Sequence, residues 1–253
     1  MIKEQIKILL IQFRPDDMKN HEFNMLVKFA GLRPDQFVRV DALNDQININ
    51  KLDNVDVLVL GGAGDYLVSS GEIQDKIDAI LPLVKEARER STPTLGICFG
   101  AHVMTVAFGG KIEKDEVKAE TGTYEIAKNS FSKSCPIFSR LPEKFDAQLG
   151  HKDHITQLPP RAVSLASSKN SEHQAYTFPG EPIYALTFHP ELDKQALSDR
   201  LDYYADMYGI TPEILESLKK DARETPEAVK ILHLFLKYIV EEGDRYKSGL
   251  EHD

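Results

Sequence analysis

The sequence predicts an α/β protein: a doubly wound, mostly parallel sheet with an antiparallel extension, followed by a helical C-terminal extension. Three observations predict it. Short apolar runs without polar alternation recur at 6–11, 55–60 and 93–97, as strands covered on both faces require. Helical spacing fills most of the intervals between them. From about residue 110 the texture changes to short alternating stretches separated by Pro- and Gly-containing turns, the pattern of antiparallel strands.

Taken in order, 6–11 is a first strand and 17–31 a helix, with Met18, Phe23, Met25, Leu26 and Phe29 near helical spacing and Gly31 as C-cap. Residues 36–40 form a second strand. The third, 55–60, is stopped by Gly61-Gly62-Ala63-Gly64-Asp65. A helix over 72–90 leads to the strand 93–97, which delivers Cys98. Antiparallel or mixed strands follow at 123–127, 147–149, 162–167, 174–178 and 183–188. Residues 193–253 read as helical, with Thr225-Pro226-Glu227 as N-cap, first helical residue and acidic first turn. The expected organisation is one domain over 1–192 with the helices of 193–253 packed on it.

Composition excludes several classes. At 253 residues, 42% hydrophobic and 28% charged, the chain can bury a substantial core. A net charge of −9 argues against nucleic acid or an anionic membrane surface as partner. No apolar run approaches the roughly 18 residues that span a bilayer, and Lys3 and Glu4 do not suit a signal peptide. Cys98 and Cys135 lack C-x-x-C spacing, which argues against a zinc site or a disulfide framework. A cytoplasmic setting is expected.

The chemistry is concentrated in four places. Gly96-Ile97-Cys98-Phe99-Gly100 has the small–x–nucleophile–x–small form of a nucleophile elbow, in which the flanking glycines remove side chains that would clash. The turn sets Cys98 at a helix N-terminus, where a thiolate is favoured. His189 and Glu191 stand two residues apart at the end of a strand, so both project to one face. There the imidazole can take the thiol proton and the carboxylate can orient the ring. The glycine loop after the third strand lacks a phosphate-binding pattern but suits an oxyanion hole, with Gly62 and Phe99 as backbone donors. Gly150-His151-Lys152-Asp153-His154 reads as a polar loop near the pocket, with no partner cluster that would make it a metal site. Each motif alone also fits a plain structural role: a buried core cysteine, a strand end, a flexible turn. His21, His173 and His233 are taken as surface or satisfied histidines.

Together these residues resemble the class I (triad) glutamine amidotransferases, in the expected order across most of 6–191. The stretch 149–160, with 162–168 and 174–178 after it, looks most like the stand-alone proteins similar to the amidotransferase part of GMP synthase, whose plant relatives include γ-glutamyl peptidases. The resemblance implies a flavodoxin-like sheet, Cys98 as nucleophile, His189 as general base and acid, and Glu191 as orienter. It also implies Gly62 and Phe99 as oxyanion donors and Gly64 along the bound substrate, with His102, His151 and Asp153 as further substrate contacts. Neither a cofactor nor a metal is implied. No ATP pyrophosphatase segment follows Glu191, so a complete GMP synthase is not expected.

One departure stands out. The family's elbow usually continues with a glutamine that helps bind the substrate glutamine, where this chain has Ala101-His102. An imidazole offers one donor and one acceptor in place of a primary amide. A γ-glutamyl amide other than glutamine is therefore an alternative substrate. An ammonia-supplying component of a separate synthetase, and a non-catalytic regulatory homologue, are the other readings.

Overall fold

The computed structural model describes residues 3–207 and 209–243. Strand β1 (Ile8–Gln12) leads into α1 (Met18–Ala30) and then β2 (Phe37–Asp41). A short 3-10 turn, Ile49–Leu52, stands where a helix would connect β2 to β3 (Val57–Leu60). Helix α2 (Gln74–Glu89), β4 (Thr94–Ile97) and α3 (Phe99–Ala107) complete the alternating half. The second half holds β5 (Lys111–Lys114), β6 (Glu120–Lys128), β7 (Lys144–His151), β8 (Asp153–Gln157), β9 (Val163–Ser167), β10 (Ala175–Thr177) and β11 (Ile183–Leu186). Helices α4 (Lys194–Tyr204), α5 (Pro212–Asp221) and α6 (Pro226–Phe235) follow.

Among the described residues nine strands form one sheet in the order β2-β1-β3-β4-β11-β10-β9-β6-β7. The first five are parallel. The pairings from β11 through β7 are antiparallel. This is the predicted mostly parallel sheet with its antiparallel extension. Alternate residues of each parallel strand enter cores on opposite faces: Ile8 and Leu10 of β1 on one, Leu9 and Ile11 on the other. That double burial is why 6–11 shows no polar alternation. Helices α1 and α6 cover the first face, α2 and α3 the second. Ile231, Leu232 and Phe235 of α6 are almost wholly buried there, each contributing about 1.5–3 kcal/mol before entropy is counted.

Three local expectations are corrected. The 150–154 cluster is not a loop: Gly150 and His151 end β7, and Asp153 and His154 begin β8. Strand β8 pairs with β5 in a separate two-stranded sheet. Thr225 precedes α6, but its hydroxyl does not cap the helix; it donates to the Leu192 carbonyl at 2.9 Å, tying α6 to the segment after Glu191. Strand β11 ends at Leu186, two residues earlier than the 183–188 run suggests. The helical reading of the last residues, 244–253, lies outside the described residues. Among the described residues no helix is long and apolar enough to cross a membrane.

Candidate active site

Strand β4 is flanked by β3 and β11 near the middle of the parallel sheet, and its C-terminal end points at a crevice where open α/β sheets bind ligands. Cys98 follows β4 with φ 51° and ψ −108°, an unusual backbone conformation for an L-residue that costs on the order of 1–3 kcal/mol. The turn is over-determined by its neighbours. The Cys98 N–H donates to Leu186 O at 2.7 Å, and the Gly100 N–H donates to Gly61 O at 3.0 Å. The flanking glycines are required by close approach. A Cβ on Gly100 would lie 2.6 Å from the Leu60 carbonyl carbon, and one on Gly96 would strike the Met104 sulfur.

Because Leu60 is β3 backbone, it cannot yield as a side chain would. Gly100→Ala is therefore expected to cost about 3 kcal/mol or more, lowering the melting temperature by roughly 6–12 °C in a circular-dichroism melt. Gly150→Ala, with nothing within 4 Å of its Cβ, should leave the melt almost unmoved. Equal melts for the two variants would refute the close-approach account.

His189 and Glu191 are brought together, though not by the pleat of a strand. His189 sits in an isolated bridge to Gln148, its N–H donating to Gln148 O at 2.9 Å. The chain then turns at Pro190, which cannot continue a ladder, and returns the Glu191 side chain to the ring. His189 Nδ1 donates to Glu191 Oε1 at 2.8 Å. The ring also borders the cavity that Cys98 lines. Burial would lower the His189 pKa, but the Glu191 carboxylate and the Cys98 sulfur outweigh it and push it up to about 9. Burial would raise that of Glu191, yet His189 and Arg200 hold it well below the usual carboxylate range.

Four contributors carry no signal in the sequence. Arg200, on α4, donates from Nη2 to Glu191 Oε1 at 3.0 Å, and its Nη1 lies 3.2 Å from His189 Nδ1. Since Nδ1 already gives its hydrogen to Glu191, the guanidinium's partner is the carboxylate. Arg14 donates to the Tyr204 hydroxyl at 2.9 Å and pairs with Glu22 at 3.4 Å. Glu22 lies on α1 and is 1% exposed. Helical periodicity places charged residues on α1 and α4 but cannot say which of them face inward. Only the packed fold reveals Arg14, Glu22, Arg200 and Tyr204 as buried.

Glu22 also bears on the oxyanion donors. Its Oε1 accepts the Gly62 N–H at 2.8 Å, so that donor is committed to a carboxylate in this conformation. Phe99 opens α3, and the first N–H groups of a helix have no intrahelical acceptor. Of the two expected donors, Phe99 is the one that Glu22 does not engage.

A cavity of about 290 Å³ joins these groups and is lined by Cys98, Phe99, Gly64, His102, His151, Asp153 and His189, among others. His151 and Asp153 border it with their polar atoms already engaged. His151 Nδ1 is 3.0 Å from Asp153 O and its Nε2 3.3 Å from Glu120, while the Asp153 carboxylate accepts from the Ser69 N–H and hydroxyl. His102 differs. It is 2% exposed, and its Nε2 has no hydrogen-bond partner among the described residues. Burial and the neighbouring His151 and His154 lower its pKa well below the usual value, so the ring is neutral near pH 7. His102 therefore borders the cavity as a neutral imidazole with one ring nitrogen buried and without a partner among the described residues.

A model of the family described as glutamine amidotransferase class-I matches residues 29–201. A protein from Thermoplasma acidophilum, named as a glutamine-hydrolysing GMP synthase subunit, is 29% identical over 177 residues, covering 70% of this chain and 82% of that protein. Its namesake from Methanocaldococcus jannaschii is 27% identical over 172 residues, covering 68% and 82%. A longer GMP synthase from Nitratiruptor is 36% identical, but over half of this chain and 25% of its own length. Among solved structures, a glutamine amidotransferase from Thermotoga maritima superposes with a TM-score of 0.71 at 20% identity, covering 94% of this chain and 99% of that one. At that identity the likeness speaks to the fold.

Proposed function

The chain belongs to the class-I glutamine amidotransferase family, and on that premise we propose that it hydrolyses a γ-glutamyl amide, glutamine or a γ-glutamyl compound, through a thioester on Cys98. The observation that carries this reading is the His189–Glu191 hydrogen bond beside a ligand-sized cavity that Cys98 and His189 both line.

In the proposed reaction the proton that His189 holds is the one given up by Cys98, and the thiolate attacks the amide carbonyl. The developing oxyanion takes a hydrogen bond from the Phe99 N–H; the Gly62 N–H joins once Glu22 releases it. The tetrahedral intermediate collapses with cleavage of the C–N bond, and His189 gives its proton to the departing amine. Water, deprotonated by the same imidazole, attacks the thioester. Glutamate leaves and the thiol is restored. Glu191 holds the ring in the tautomer that presents Nε2 to sulfur and stabilises the imidazolium.

Glutamate release from glutamine and simple γ-glutamyl amides tests this, read as a pH profile. His189, with its raised pKa, keeps its proton up to about pH 9. kcat/KM should therefore decline only as pH rises through that value. Glu191→Gln removes the charge that raises the histidine, so the alkaline limb should move down toward about 6.5, the ordinary imidazole value. An alkaline limb that stays put in that variant would count against Glu191 as the orienting group.

The names of the relatives support a second reading, in which the ammonia serves a separate synthetase. The Thermoplasma and Methanocaldococcus proteins are each named as one subunit of a glutamine-hydrolysing GMP synthase. On that reading glutaminase activity is low in isolation and rises when the partner is added.

A further inference from the structure

The turn that carries His189 and Glu191 is anchored at both ends to one short connector of the C-terminal extension. Strand β7 stands at the end of the sheet order, four strands from β11. Its Gln148 nevertheless bridges to His189, three residues past the end of β11. Gln148 O accepts the His189 N–H at 2.9 Å, and the Leu192 N–H closes the turn onto His189 O at 3.3 Å. The exit is fixed at Leu192 O, which accepts the Thr225 hydroxyl at 2.9 Å.

The entry is tied to the same connector. Gln148 is 0% exposed, and both ends of its amide are engaged: Oε1 accepts the Thr123 hydroxyl at 2.8 Å, and Nε2 donates to Arg223 O at 2.9 Å. The Thr123 hydroxyl in turn accepts the Arg223 N–H at 2.9 Å. Asp146 precedes Gln148 by two residues and so shares its face of β7. Its carboxylate takes the Arg223 guanidinium in a two-pronged pair at 2.7 and 2.8 Å. Residues 223–225, between α5 and α6, thus hold His189 through Gln148 and the segment after Glu191 through Leu192. The 2.8 Å bond from His189 to Glu191 spans this turn, so its length follows the two anchored ends.

Resting on the reading of the site as a γ-glutamyl amide hydrolase, we propose that Gln148, Arg223 and Thr225 are positioning residues, a clamp that keeps the Glu191 carboxylate on the His189 ring. None of the three lines the cavity; they act through the backbone of 189–192.

The test compares Thr225→Val, which deletes the hydroxyl, with Thr225→Ser, which keeps it. In Thr225→Val, kcat for glutamate release should fall about tenfold with KM within about twofold, the pattern of a misplaced reacting group and not of lost substrate binding. Thr225→Ser should recover most of that loss. NMR titration of labelled histidine, with the His189 signal assigned by its absence in His189→Asn, reads the ring without turnover. The wild-type ring should titrate at about 9, and that of Thr225→Val at least about 0.5 lower as the carboxylate draws away. Should the valine variant fold poorly, Arg223→Ala at a half-exposed side chain gives the second reading. Its kcat should fall about threefold, with no further loss on adding Asp146→Ala, because both changes remove the same pair. A His189 titration unmoved in these variants would overturn the clamp whatever happens to kcat, and would leave the hydrolase standing where the wild type turns over. A moved titration in a protein that cleaves neither glutamine nor any γ-glutamyl amide would uphold the clamp and overturn the hydrolase.

Discussion

Replacing Cys98 by serine should lower glutamate release by at least about 10⁴-fold in kcat, the scale seen when a covalent nucleophile is removed from a triad. The change keeps a small side chain at φ 51°, and the backbone bonds from Cys98 N–H to Leu186 and from Gly100 N–H to Gly61 do not involve sulfur. Stability should therefore shift by no more than about 1 kcal/mol. The loss arises because His189 must then deprotonate an alcohol, and an alkoxide is a far more costly partner for the imidazolium than a thiolate. Mass spectrometry of wild type quenched during turnover should show a γ-glutamyl adduct on Cys98 that the serine variant lacks. Activity retained within tenfold in that variant, with an unchanged melt, would remove Cys98 from the reaction.

The parts of this molecule that could be read from sequence share one physical trait: their pattern is imposed by burial on both sides. β1 and β4 are apolar but for one terminal residue each, and β3 throughout, because cores lie on each face of the sheet. The elbow is equally legible, since Gly96 and Gly100 are glycines for reasons of contact with α3 and β3. Strand β5, by contrast, is Lys111-Ile112-Glu113-Lys114 and mostly exposed. Its partner β8 begins in a run of polar residues. A two-stranded ribbon outside the main sheet has no periodic apolar face to announce it.

The site was legible in its residues and less so in its geometry. His189 and Glu191 are neighbours across a proline turn rather than on one face of a strand; spacing alone does not distinguish the two. The buried charges were hidden more completely. Glu22 reads as the polar face of an amphipathic helix, yet it holds the Gly62 N–H and Arg14. That arrangement links the first helix to the glycine loop. In this conformation the expected oxyanion donor is a ligand of Glu22, so assembly of a two-donor oxyanion hole requires the carboxylate to move.

Arg200→Met is expected to have the second largest effect, and on stability rather than on chemistry alone. Arg200 and Glu191 are 6% and 0% exposed, so the substitution leaves a carboxylate inside the protein with His189 as its remaining charged partner. Removing one member of a buried pair costs about 3–5 kcal/mol, or a melting temperature lower by roughly 10 °C at this chain length. The sign of its pH dependence follows from Glu191. A carboxylate held below its ordinary pKa contributes stability that is present above the unfolded value of about 4.3 and is lost as pH falls toward the folded one. The deficit of Arg200→Met should thus be widest near neutral pH and begin to narrow only below about pH 4, as Glu191 starts to take up a proton in the variant, which lacks the Arg200 charge. Urea unfolding of both proteins from pH 3.5 to 7.5 measures it. Arg200→Lys restores the charge but not the planar fork, and should recover part of the stability. A deficit independent of pH would mean that Arg200 supports the site by packing of its stem and not by its charge on Glu191.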